Sequence, residues 1–219
     1  MVGSSDIFEK NYQEYCAQLA KIDFGSIRDG LGLITDGDRM FIPFFNRRYW
    51  VSNNGIVDTS GNRPDYMVCV ILAKYILLCP DQPNDDKEWV SFKDFKRVSH
   101  FTNVNYFSSD TQRAIEKHFS GKLNELKNAC QELEGFHHAM EISYDLSIQF
   151  NALPRISLLL LFNDGDEEFP ATGNILFDSS IEKRLSAEDI AVMCQQIVFK
   201  IIKIRNKMGV GARLERNRS

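Results

Sequence analysis

From Met140 to Phe150 apolar and polar residues alternate, with Met140, Ile142, Tyr144, Leu146, Ile148 and Phe150 interleaved with Glu141, Ser143, Asp145, Ser147 and Gln149. A period of two puts one set on each face of a β-strand, so this stretch predicts a strand with a dry side and a wet side. After Pro154 the run Ile156 to Phe162 is apolar on both faces, as expected of a covered central strand that pairs with the first. Asn163-Asp164-Gly165-Asp166 supplies the turn that follows, and Ile175-Leu176-Phe177 a further short strand. Upstream, Met40 to Phe45 and Tyr49 to Val51 are rich in β-formers, and Asn53-Asn54-Gly55 tolerates a tight turn. Leu31 to Asp58 therefore predicts a small β-meander.

Other stretches repeat at helical spacing. Ile7, Tyr12, Tyr15, Cys16 and Leu19 predict a helix over Asp6 to Ile22, with Gly25 and Gly30 at or beyond its end. Tyr66 to Cys79 carries one charge, Lys74, and is bounded by Pro64-Asp65 and Pro80, which predicts a buried helix at the centre of the core. Asp81 to Asp86 reads as an exposed loop. Ser91 and Asp94 have a capping-box offset. Asp110 precedes a helix carrying Ile115 and Phe119 that Ser120-Gly121 interrupts, and Leu123, Leu126, Cys130 and Leu133 continue it. Ser186 and Asp189 repeat the capping offset and open a long closing helix striped by Ile190, Met193, Ile197, Ile201, Ile204 and Met208, with Gly209 and Gly211 expected to stop it.

Helices bracket groups of strands without regular βαβα alternation. The expected class is α+β: an antiparallel or mixed sheet with a buried central helix and a long C-terminal helix. With 219 residues and no linker, the expectation is a single domain over 1–219, with 209–219 a flexible basic tail.

Composition narrows the function classes. Hydrophobic residues at 43% and charged residues at 26% are ordinary for a globular chain. A net charge of -4 and a pI near 5.6 argue against binding nucleic acid through an overall positive field, although Arg205, Lys207, Arg213, Arg216 and Arg218 make the end locally basic. The longest apolar stretch, interrupted by Lys74, is well short of a membrane span, so no membrane partner is expected. The start of the chain lacks the apolar core of an export signal. Cys16, Cys69, Cys79, Cys130 and Cys194 contain no C-x-x-C pair, which predicts reduced thiols and a cytoplasmic location.

Candidate chemistry is sparse. Asp164, Asp166, Glu167, Glu168 and, farther on, Asp178 gather carboxylates after the central strand, where they could bind a divalent cation or move a proton, with Arg155 holding an anionic substrate. Backbone turn geometry also selects Asp and Gly there, and calcium-loop spacing is absent. Adjacent His137 and His138 point to opposite faces of a regular strand, so His138 reads as a partly buried, hydrogen-bonded side chain. His118 falls at the edge of the core, and His100, in an aromatic segment, is the histidine expected to face a ligand. No nucleophile elbow, phosphate loop, dinucleotide fingerprint or zinc motif is present. No metal site, cofactor or catalytic residue is assigned, and whether the chain is an enzyme stays open.

Trp89-Val90-Ser91-Phe92-Lys93-Asp94-Phe95, then Ala152 to Ile156, Asp164 to Pro170 and Asn174 to Asp178, resemble the domain-of-unknown-function 3786 family of anaerobic bacteria and archaea. The similarity runs from Phe45–Tyr49 to Leu185–Asp189. Some members of the family join this domain to a ferredoxin-like iron-sulfur domain, which implies work near anaerobic redox or one-carbon metabolism. The cysteines here lack cluster-binding spacing, and the family has no established reaction to carry over. Trp89, Phe92, Phe169, Pro170 and Phe177 serve the fold equally well.

Three readings follow. The first is an accessory or ligand-binding domain, its partner a small molecule or a metabolic enzyme. The second is a divalent-cation-dependent enzyme using the acidic turn. The third is an interaction module presenting Phe44, Phe45, Tyr49, Trp50, Tyr106 and Phe107.

Overall fold

Two antiparallel sheets and six helices make up the computed structural model, which describes residues 4–79, 88–95 and 104–216. The expected loop Asp81 to Asp86 and His100 lie outside the described residues, as do the side chains of Tyr106 and Phe107. The α+β class expected from the sequence is the observed one.

Helices α1 (Ser4–Leu19) and α2 (Phe24–Leu31) replace the one helix expected before the meander. Asp23 is the reason: its carboxylate accepts the Gly25 N–H at 3.0 Å and opens α2. Gly32, at φ +66°, closes it in the left-handed region. Burial of Phe24 and Leu31 offsets the two interior glycines, which cost about 1 kcal/mol each.

The meander is four-stranded: β1 (Ile34–Asp36), β2 (Arg39–Phe44), β3 (Arg47–Ser52) and β4 (Gly55–Asp58), in chain order. Opposite pairs Met40–Val51 and Ile42–Tyr49 put their side chains into the core. In the tight turn after β2, Phe45 has φ 49° and is buried, and its N–H donates to the Ala152 carbonyl at 2.9 Å. That bond ties the meander to the second sheet and holds a conformation that a non-glycine residue adopts at a cost.

Helix α3 (Tyr66–Leu77) is the expected central helix, capped by Asp65, whose carboxylate accepts the Val68 N–H at 3.1 Å. Its one charge, on Lys74, meets both carboxylate oxygens of Asp189 at 2.8 Å.

The second sheet has the order β5-β9-β8-β7-β6, from β5 (Trp89–Ser91), β6 (Phe136–His137), β7 (Leu146–Leu153), β8 (Ile156–Asn163) and β9 (Thr172–Asp178). The apolar strand β8 is central and pairs with β7, as its composition requires. The alternating strand starts at Leu146 rather than Met140, and Ile142 is exposed. Leu146 pairs with Phe162 at the end of β8, so residues before it have no neighbouring strand to bond. Periodicity there had no ladder to join.

Leu158, Leu160, Phe150 and Ile175 face Ile115 of α4 (Val104–Phe119) and Ile197 and Ile201 of α6 (Ala187–Arg216). Helix α5 (Leu123–Gln131) packs beside them through Leu126 and Cys130. Leu159 and Leu161 are buried on the opposite face, apart from this core. Helix α6 opens on the expected Ser186–Asp189 bonds but runs through Gly209 and Gly211. Glycine weakens a helix without ending it unless it takes the left-handed turn. No described helix is long and apolar enough to cross a membrane.

Candidate functional site

The acidic turn lies between β8 and β9. Asp164 accepts the N–H groups of Gly121 at 2.7 Å and Gly165 at 2.8 Å through one oxygen, and Asp166 accepts those of Phe169 at 2.7 Å and Glu168 at 2.8 Å. The Phe169 and Glu168 amides hold the Asp166 carboxyl below its ordinary range. Glu167 and Glu168 are exposed. These aspartates close a turn, and among the described residues no group of three or more His, Cys, Asp or Glu is placed to hold a metal.

Arg155 and Asp178 are at the other end of the sheet. Arg155 precedes β8 and the acidic turn follows it, so a strand about 25 Å long separates the guanidinium from the carboxylates. The two halves of the substrate-holding arrangement considered above are not brought together. What the antiparallel register does bring together is new. Leu158 pairs with Phe177 at the end of the β8–β9 ladder, so Asp178, one residue on, closes β9 at the same end of the sheet as Arg155, which precedes β8.

This end of the sheet is polar and largely buried. Asp178 is 3% exposed, and its carboxylate accepts the Ser180 N–H at 2.9 Å, opening the 3-10 turn Ser179–Lys183. The Tyr75 hydroxyl donates to the Leu31 carbonyl at 3.0 Å and accepts the Arg155 N–H at 3.2 Å. Arg155 Nη2 reaches the Asp29 carbonyl at 3.3 Å, in the last turn of α2, where the helix dipole favours a cation. Burial pushes the Tyr75 phenol well above its ordinary pKa, against the pull of the Arg184 charge, the Arg155 N–H and the Arg155 charge.

Arg184, next after that 3-10 turn, is 2% exposed. Its Nε and Nη1 are buried with no hydrogen-bond partner among the described residues. The buried acids near it in sequence are engaged elsewhere, Asp178 on Ser180 and Asp189 on Lys74 and Ser186, and the nearer Glu182 and Glu188 lie on the wall of the adjoining cleft. No sequence signal distinguishes Arg184 from the solvated half of a Lys-Arg pair, because its burial depends on α3 and the turn closing around it. Residues on both sides of it line a cleft of about 270 Å³ together with Leu78, Phe95 and Ile190; Lys183, Leu185 and Ser186 form its near wall.

His138 is half-buried and bonded, as expected. Trp89 Nε1 donates to His138 Nε2 at 3.2 Å, and His138 Nδ1 is 2.9 Å from Gln149 Oε1. An indole can only donate, so Nε2 accepts, the ring is neutral and its proton sits on Nδ1. His118 is also half-buried; burial, then Arg205, Lys117 and Lys122, hold its pKa low.

A second cleft, of about 360 Å³, lies between α1 and α3. Its Arg63 is paired with Glu9 at 2.8 Å and stacked on Tyr12 at 4.6 Å. Burial pushes its Cys69 thiol up to about 12, which leaves no thiolate for nucleophilic work at neutral pH. Of the aromatic residues in the interaction reading, Phe44, Phe45 and Tyr49 are buried and Trp50 lies half-buried under Arg39 at 4.4 Å, so these four form no exposed patch.

A family model described as a domain of unknown function (DUF3786) matches residues 23–200. No curated protein and no solved structure matches the chain. Tyr75, Arg155, Asp178 and Arg184 all fall inside the matched span, whereas α1, one wall of the second cleft, falls outside it.

Proposed function

The chain belongs to the DUF3786 family, a domain of unknown function, and from that premise we propose that it is a ligand-binding accessory domain whose site is the polar end of the second sheet. One observation carries the reading: the buried Tyr75 hydroxyl of α3 meets the Arg155 backbone in the β7–β8 turn, and the buried Arg184 lies between residues that line a cleft of about 270 Å³. Burying such groups away from water costs free energy, and binding sites are where folds retain that cost. We place its ligand in anaerobic redox or one-carbon metabolism, the setting that the family resemblance implies, with the domain serving an enzyme partner there.

A thermal-shift screen of the full chain against nucleotides, corrinoids, pterins and divalent metals tests this. A compound that binds only the folded state stabilises by about 2.7 kcal/mol at a hundredfold excess over its Kd. The expected outcome is a shift with a non-metal ligand that disappears in Ala187→Phe, which fills the cleft. A shift with a divalent metal alone, lost in an Asp166→Ala, Glu168→Ala double variant, would replace this reading with the enzyme one.

A further inference from the structure

Among the described residues, the polar end of the sheet contains a buried charge, on Arg184, that no carboxylate answers. Lys74 is matched by Asp189, Arg63 by Glu9, and Arg205 by Glu125 at 2.8 Å. Arg155 lies against the C-terminal carbonyls of α2. Arg184 is more deeply buried than any of these partners, yet no described carboxylate forms an ion pair with it and its Nε and Nη1 have no acceptor. An arginine cannot shed its proton to escape burial, as a lysine can. A buried, unpaired guanidinium is therefore among the most costly arrangements in a protein interior, and folds that keep one supply an anion.

From this we propose that Arg184 is the anion receiver of the site, and that the ligand presents an oxyanion, carboxylate or phosphate, to its guanidinium. The inference rests on the reading of this end of the sheet as a binding site, and adds the ligand's chemical class. An oxyanion at the side or the end of a guanidinium meets Nη2 together with one of the two idle donors, which gives the paired N–H···O bonds that select carboxylate and phosphate over chloride. Arg155 and the exposed Lys183 add positive charge, set against the Glu182 and Glu188 carboxyls on the cleft wall, and the Tyr75 hydroxyl is already engaged, donating to Leu31 and accepting from Arg155. Asp178 and Asp189, the buried acids near Arg184 in sequence, have their carboxylates turned to the Ser180 amide and to Lys74.

The test uses the full chain exchanged into chloride buffer and titrated with inorganic phosphate or with acetate at constant ionic strength. We expect a saturable rise in melting temperature with at least one of the two, the effective arm telling phosphate chemistry from carboxylate chemistry. That response should vanish in Arg184→Met and survive in Arg48→Met, a change at an exposed strand position. A measurement on the unaltered protein keeps the test independent of how the variant folds: the Arg184 Nε–H resonance, assigned by its loss in Arg184→Lys, should move with the same anion. A response that persists in Arg184→Met, or a resonance that stays still while the protein is saturated, overturns the proposal. If neutral compounds from the screen bind and neither anion does, the binding reading stands and Arg184 is not its receiver; if nothing binds, both fall.

Discussion

Gly32 and Arg155 show how a single position can couple two elements. A Cβ at residue 32 would sit 3.1 Å from Arg155 Nε on a backbone at φ +66°, so Gly32→Ala combines left-handed strain with crowding of the α2 cap. We expect a loss of about 1–2 kcal/mol in urea unfolding. His138 bridges Trp89 and Gln149, and His138→Leu leaves a donor and an acceptor without partners, for an expected loss of about 1–3 kcal/mol and a changed Trp89 fluorescence environment. His118 sets a pH dependence. Its folded pKa is lowered, so below about 6.5 the unfolded chain takes up the proton more readily than the folded one. Stability is therefore full above that pH and falls as pH drops through 6.5 toward the folded value; unfolding midpoints measured against pH should show this slope flattened in His118→Asn. At this scale His138 was readable in advance from its place beside an alternating strand, whereas Arg184 was not, since nothing in its neighbours' identities records that it is covered.

Among elements, α3 and α6 are joined by the Lys74–Asp189 pair, and Asp189 also bonds the Ser186 hydroxyl and amide at the start of α6. Lys74→Met leaves a nearly buried carboxylate without its cation, and we expect a loss of about 3 kcal/mol by denaturant titration. Both capping offsets, Ser91–Asp94 and Ser186–Asp189, were legible because capping is a matter of residues three apart. The length of the alternating strand was not. Residues 140–145 have the strand period but no paired strand among the described residues, since β8 ends where β7 begins. Helix α2 escaped for the opposite reason: its glycines suggested an end, while its stability comes from the Asp23 and Gly32 caps and two buried side chains.

Across the whole molecule, β8 is the central strand of the five-stranded sheet and is buried on both faces. Its amides should be the slowest to exchange with deuterium, and those of the edge strands β1 and β5 the fastest, because an edge amide opens without breaking the sheet. Hydropathy by itself determined the α+β class, the central helix, the central strand and the closing helix, since each depends on a local period or an unbroken apolar run. It also placed carboxylates in the turn after β8, where they act as backbone acceptors. Only the tertiary structure decided which polar residues meet. Residues 155 and 164 are near in sequence but a strand apart in space, whereas Tyr75, Arg155, Asp178 and Arg184 share one end of a sheet because antiparallel pairing returns the chain there and α3 closes over it. Burial of a charge is a property of that closure, and no local pattern of residues encodes it.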